Sequence, residues 1–246
     1  MTRKGALRAL AWPSAVAVAG FALLVGLGVW QLQRLGWKEG LIRAATERAG
    51  QPPAPVPVEA DWPRLDPNEV EYRRVRLEGR FRHEDEALVF TDLADPKGPS
   101  GGVGSWVMTP LTLDDGSVVL INRGFVPANR ADPSRRAEGQ VGGEVEIVGL
   151  MRWSEARNTF TPADDPAKGA WYTRDTRAIG RAKGLTRVAP FYVDAEASAS
   201  GGLPQGGETR LAFPNRHLEY ALTWFGLAGA LAVVAGLFLR RRARAI

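Results

Sequence analysis

Two histidines, His83 and His217, are all the imidazole that this chain of 246 residues has, and it has no cysteine. His83 lies in a run of charges, Arg82-His83-Glu84-Asp85-Glu86, where a solvated imidazole at a strand end is expected. His217 lies in Pro214-Asn215-Arg216-His217-Leu218-Glu219-Tyr220-Ala221-Leu222-Thr223-Trp224-Phe225. On a helix, His217, Tyr220 or Ala221, Trp224 and Ala228 share one face. Near the other end of the chain, Trp30, Arg34 and Trp37 form a matching group. Two antiparallel helices would bring these groups to one level, giving an imidazole, several aromatic rings and one or two cations. Neutral imidazole ligates haem iron, aromatic walls suit a porphyrin plane, and guanidinium suits its propionates. The competing reading is anchoring, because Trp, Tyr and His are ordinary residues at a membrane interface.

Other chemistry is not signalled. There is no HExxH, no Walker A loop and no GxGxxG following a strand. Asp114-Asp115 and Asp164-Asp165 are carboxylate pairs, but each sits beside Gly or Pro in turn chemistry. No nucleophile, base and orienter are grouped as an enzyme would need, so no catalytic residue is assigned. Without cysteine there is no disulfide framework, no thiolate metal site and no thiol redox reaction. Copper handling is disfavoured for the same reason, there being no Met-rich or His-rich segment.

The elements that must position His217 are apolar. Ala9–Gln33 and Ala221–Leu239 contain no charged residue. A bilayer core needs roughly 20 apolar residues as a helix, so both can span. Arg3, Lys4 and Arg8 precede the first, and Arg240, Arg241, Arg242 and Arg244 follow the second. These seven leave 25 basic and 27 acidic residues elsewhere, so the net charge of +5 belongs to the tails. A positive-inside arrangement accounts for that asymmetry better than nucleic-acid binding does. Both termini are expected in the cytoplasm (or a mitochondrial matrix) and the middle on the opposite side. A cleaved signal peptide is the alternative for the N-terminus, but the apolar run outlasts a normal h-region. The chain divides into a cytoplasmic tail (1–10), a transmembrane helix (11–33), a periplasmic domain (34–216), a second transmembrane helix (217–239) and a basic cytoplasmic tail (240–246).

The middle reads as β-rich. Lys38–Arg48 extends the first helix, and Gln51–Pro57 is a stiff Pro-rich linker. Tyr72–Phe81 alternates, with Val75, Leu77, Gly79 and Phe81 on one face. Arg74, Arg76, Arg80 and Arg82 make the opposite side basic, and a solvated face is the expected reading. Ala87–Thr91, Ser105–Leu113, Ser117–Val126, Glu144–Met151 and a short Phe191–Val193 are further strands, with Asp115-Gly116 as a hairpin turn. Asp175–Lys183 is a short helix. Gly98–Gly104 is expected as a turn or mobile loop, and Ser198–Gly207 as a loose one. Mostly antiparallel strands with short helices suggest an α+β or open-barrel domain.

Four segments carry a family resemblance. They are Gly28-Val29-Trp30-Gln31-Leu32-Gln33-Arg34-Leu35-Gly36-Trp37-Lys38, Asn122-Arg123-Gly124-Phe125-Val126-Pro127, Trp171-Tyr172-Thr173-Arg174-Asp175 with Pro190-Phe191-Tyr192-Val193, and Asn215–Phe225. In these the chain resembles the surfeit locus protein 1 family of cytochrome c oxidase assembly factors, bacterial type, from about Leu23 to Leu237. The family often has Asn directly before the His, and here Arg216 intervenes. The resemblance implies a non-enzymatic protein of the cell inner membrane that binds haem a transiently and aids its delivery. The donor would be haem A synthase and the acceptor subunit I of the oxidase. It implies His217 as axial ligand, Trp224, Trp30 and Tyr220 as pocket or contact residues, and Arg34 for propionate pairing. Membrane lipid is an implied partner, nucleic acid is not, and self-association is left open. The alternative is a haem-independent scaffold that holds oxidase subunits through the periplasmic domain. Gly124 is expected at a bulge or a positive-φ position.

Overall fold

The computed structural model describes residues 3–211 and 213–244. Residues 1–2 and 245–246 of the two expected tails lie outside the described residues. The chain falls into two compact units, one holding the chain up to Ala44 and from 212 onward, the other Ala45–Leu211. Each is considered by itself.

The first unit is a helix pair. The helix α1 (Arg3–Gly50) runs without a break through the expected span and its polar extension. The helix α4 (His217–Arg244) is introduced by Pro214 and Asn215, and the Asn215 side chain accepts from the His217 amide at 3.4 Å. Both helices are long and apolar enough to cross a membrane. Along α1 a stripe of buried and half-buried residues runs through Leu24, Gly28, Gln31, Leu35, Lys38 and Ile42; along α4 one runs through His217, Ala221, Trp224, Ala228, Leu231 and Ala235. Steps of four and three keep one stripe facing a partner helix. The contacts run in opposite order along the two helices: Gln31 with His217, Gly28 with Phe225, Gly20 with Leu231. The helices are therefore antiparallel. Gly28 is buried, and a Cβ there would lie 2.6 Å from the Phe225 ring, so a small residue lets the helices close.

The second unit is a β-barrel. Its strands are β1 (Ala54–Pro55), β2 (Arg74–Phe81), β3 (Ala87–Leu93), β4 (Gly102–Thr112), β5 (Val118–Pro127), β6 (Glu144–Trp153) and β7 (Val188–Ala195), with short helices α2 (Pro67–Val70) and α3 (Thr176–Ala182). The order is β1-β2-β6-β7-β5-β4-β3, and β2 also pairs with β4 through Arg80–Thr112 and Phe81–Leu111. That short ladder closes the expected open barrel through β2, β6, β7, β5 and β4, with β1 and β3 left outside the closed ring. Residues alternate across the barrel wall. Val75, Leu77, Leu111, Val119, Ile121, Met151, Phe191 and Val193 fill the inside. Met108, Leu120 and Tyr192 point outward into a second core capped by Trp171 and by Ile179 of α3. Asp175 caps α3, accepting from the amides of Arg177 and Ala178.

Several expectations need correction. Two pairings are parallel, β1 with β2 and β5 with β7. The second arises because β6 intervenes in the chain: it runs antiparallel to β7 and pairs on the far side of it, so β7 takes the direction of β5. The Pro-rich linker contributes an edge strand, Pro being tolerated where no ladder hydrogen bond is needed. Gly102–Gly104 belongs to β4, paired with Leu93–Thr91. The segment 198–207 is docked rather than loose. The backbone of Gln205 exchanges two hydrogen bonds with that of Phe125, at 2.8 and 2.9 Å. The Gln205 side chain in turn holds Ser100 by both backbone groups, and Glu208 accepts from the amides of Lys97 and Gly98. The Gly-rich loop near residue 100 is thus pinned by chain over a hundred residues away. Asp115 serves its turn, accepting from the Ser117 amide and hydroxyl, whereas Asp164 closes a longer loop, accepting from the amides of Tyr172 and Thr173.

Gly124 has φ of 120°, and a Cβ there would overlap the Gln205 carbonyl. Both the backbone angle and the close approach require glycine. Gly124→Val should cost about 2–3 kcal/mol, from strain and loss of the Gln205 dock. Urea unfolding of the detergent-solubilised protein checks this; a midpoint equal to wild type would contradict it.

Candidate functional site

The buried polar contact of the helix pair involves His217. Its Nδ1 lies 2.7 Å from the Gln31 Oε1. Gln31 is buried to 9% exposure between the helices. In an apolar seam a polar side chain must find a partner, since water is not there to replace it. An amide oxygen can only accept, so the Nδ1 carries the proton and donates. The Nε2 is then the lone-pair nitrogen, and it has no hydrogen-bond partner among the described residues. Metal-ligating histidines typically donate their other ring N–H to an oxygen in this manner, which fixes tautomer and ring orientation. The donor set therefore fits a single axial ligand to a porphyrin iron. Among the described residues no three His, Asp or Glu side chains gather to hold a free metal ion.

The other site residues from the sequence fall into two groups. Trp224 lies on the His217 stripe with Ala221 and Ala228, as the helical spacing requires, and is half-buried. Trp30, Arg34 and Trp37 face outward on α1, with the Arg34 guanidinium 4.3 Å from the Trp37 ring centre. Arg34 is thus paired with Trp37, not with His217. Tyr220 is likewise exposed. The residue that sequence reasoning passed over is Gln31. Its signal was present: an amide within an otherwise apolar span is a functional flag.

In the barrel, the remaining motifs meet at one carboxylate. Asp194, 3% exposed, accepts from the Asn122 Nδ2 at 2.7 Å, the Thr209 hydroxyl at 2.8 Å and the Arg152 guanidinium at 3.1 Å. Arg174 lies 3.8 Å away. Arg152 also holds Glu71, and Arg174 pairs with Glu155. Tyr192 sits among them, its hydroxyl 3.4 Å from Glu155, with burial pushing its phenol well above the usual range. Burial lowers the Arg174 pKa, but Asp194, Glu155 and Tyr192 outweigh this and leave it raised. A cavity of about 190 Å³ opens on this cluster. Each of its charged groups has an opposite partner within the cluster, which is the character of a structural hub.

A model of the SURF1 family matches residues 18–229. Human Surfeit locus protein 1 is 36% identical over 218 residues, covering 83% of this chain and 70% of that protein. The mouse protein of the same name is 37% identical over 221 residues, covering 85% and 70%. A SURF1-like protein from Monosiga brevicollis is 37% identical over 231 residues, covering 88% and 83%.

Burial raises the Glu155 pKa, but the charge and hydrogen bond of Arg174 outweigh it, so the carboxyl titrates below its ordinary value. A depressed folded-state pKa adds stability at neutral pH that is lost as pH falls through the acid range below about 4. Glu155→Gln should be less stable than wild type at pH 7, and the difference should shrink as pH drops below that range. Unfolding curves from pH 7 to pH 3 measure it; a pH-independent difference would refute the assignment.

Proposed function

The chain belongs to the SURF1 family, and on that premise we propose that it is a non-catalytic assembly factor for cytochrome c oxidase. In this reading it binds haem a at the outer membrane interface and aids its delivery to subunit I. The observation that carries the haem reading is the His217–Gln31 pair at 2.7 Å, which leaves one imidazole nitrogen free to ligate. A single axial ligand suits transient binding, because cargo held by one bond can be released. His217 would hold the haem through its iron, and the apolar tail of the haem would suit lipid. Gln31 keeps the ring oriented. Trp224 lies two turns further along the face of His217, while Trp30, Tyr220 and Arg34 offer an outward aromatic and cationic surface at the same end of the helix pair. The donor of haem in this reading is haem A synthase.

The placement follows from charge. Arg240–Arg242 and Arg244 stay on the cytoplasmic side of the cell inner membrane, and the barrel lies in the periplasm. A second reading, a haem-independent scaffold, is favoured by the barrel's exposed aromatic side chains. Phe160 is 95% exposed and Phe90 53% exposed beside Tyr172, and apolar surface of that kind suits a protein partner.

The test is an absorption spectrum of protein purified in detergent from cells that make haem A. Wild type should carry haem a. His217→Ala should lose it or shift its spectrum, and Gln31→Leu should weaken binding about 10–100-fold, as loss of an orienting partner does. Stoichiometric haem unchanged in His217→Ala would place the ligand elsewhere. No haem in either protein, with subunit I still co-purifying, would favour the scaffold.

A further inference from the structure

The barrel has a mouth lined in a way the hub around Asp194 is not. Arg123 continues the inward row of Val119 and Ile121 on β5. Phe81 ends the inward row of β2, and Val145 and Ile147 belong to that of β6. Together with Val141 and Ala197 these residues enclose a cavity of about 220 Å³. Its walls are apolar and its charged floor is the Arg123 guanidinium, 4.9 Å from the Phe81 ring centre.

That guanidinium belongs to a buried cluster with unequal charge. The side chains of Arg123, Arg136 and Glu86 are 4%, 0% and 6% exposed. Glu86 pairs with Arg136 by both oxygens and lies 3.8 Å from Arg123. Arg123 also donates to the Gly139 carbonyl and to the His83 Nδ1 at 3.3 Å. His83 is half-buried and uses its Nε2 on the Val141 carbonyl at 2.9 Å, so it is not the solvated imidazole expected from its neighbours. Its Nδ1 accepts from Arg123 and offers it no counter-charge. Two cations thus share one anion. Burial, with Arg136 nearby and Glu86 only partly offsetting them, lowers the Arg123 pKa to about 10. The Arg123 Nε has no hydrogen-bond partner among the described residues. Nearby, Asp85 is held by Arg82, and Glu146 is exposed at the cavity rim.

A buried charge lacking a counter-charge is costly unless something supplies one, and barrel mouths are frequent ligand sites. We infer that this mouth binds a carboxylate carried on a short apolar chain, the carboxylate against Arg123 and the chain along Phe81, Val145 and Ile147. The shared chemistry could come from a free fatty acid or from the C-terminus of a protein ending in apolar residues. The site does not depend on haem binding.

The experiment is calorimetric titration of the full chain in lipid nanodiscs with hexanoate, and with hexanol as the uncharged analogue. Hexanoate should bind about ten-fold or more tightly than hexanol, the worth of one charge-assisted contact. Arg123→Gln should abolish that preference. Ala197→Trp places an indole over the mouth from an exposed position; it should remove hexanoate binding with an unchanged melting midpoint, which keeps the test decisive if Arg123→Gln does not fold. An N-acetylated Ala-Val-Leu peptide with a free carboxylate, beside its amide, separates the sources. A free-acid peptide that outbinds hexanoate identifies a protein C-terminus; hexanoate binding alone identifies a fatty acid. Equal binding of hexanoate and hexanol, binding retained in Ala197→Trp, or no binding of either carboxylate would overturn the inference.

Discussion

The barrel is held by the Asp194 carboxylate. It sits on β7 and takes hydrogen bonds from β5 through Asn122, from β6 through Arg152 and from the segment beyond β7 through Thr209. A buried carboxylate is tolerated only when its oxygens are fully occupied, so these partners are required together. The arrangement is asymmetric in energy. Replacing the whole network by apolar residues could be nearly neutral, but removing one member strands the others, and a lone buried charge costs about 3–5 kcal/mol. Two of the four family segments supply its members, Asn122 from one and Arg174 with Tyr192 from the other, which explains why they share a location without forming a reactive centre.

The same alternation that sends Asn122 outward to Asp194 sends Arg123 inward to the barrel mouth. Adjacent residues of one strand therefore serve opposite ends of the design. Outside, every charged group has an opposite partner and the network rigidifies the wall. Inside, two guanidiniums share one carboxylate beneath an apolar rim. The contrast between the two clusters is one of sign, three carboxylates meeting two guanidiniums outside and one meeting two inside.

In the helix pair the governing constraint is the absence of water. Gly20, Gly28, Ala221 and Ala228 let the backbones approach, and dispersion contacts hold them. A polar group in that seam must be paired within it. Gln31 and His217 satisfy each other, and the pairing selects one tautomer of the imidazole. An unpaired histidine at the same position could present either nitrogen.

The sequence by itself determined the elements. Uninterrupted apolar runs marked both long helices, alternation marked the strands, and Asp-Gly marked a hairpin, because each of these signals is local and depends only on backbone periodicity. It also marked His217 and Trp224 as sharing a face, since helical spacing is fixed. The tertiary structure decided what those elements do to one another. Closure of the barrel rests on Phe81 meeting Leu111, and docking of the Gly/Ser-rich segment rests on Gln205 meeting Phe125. The proton on His217 is set by Gln31, 186 residues away. None of these pairings has a local signature, because hydrogen-bond partners and charge balance in a buried site depend on which distant residues the fold brings together.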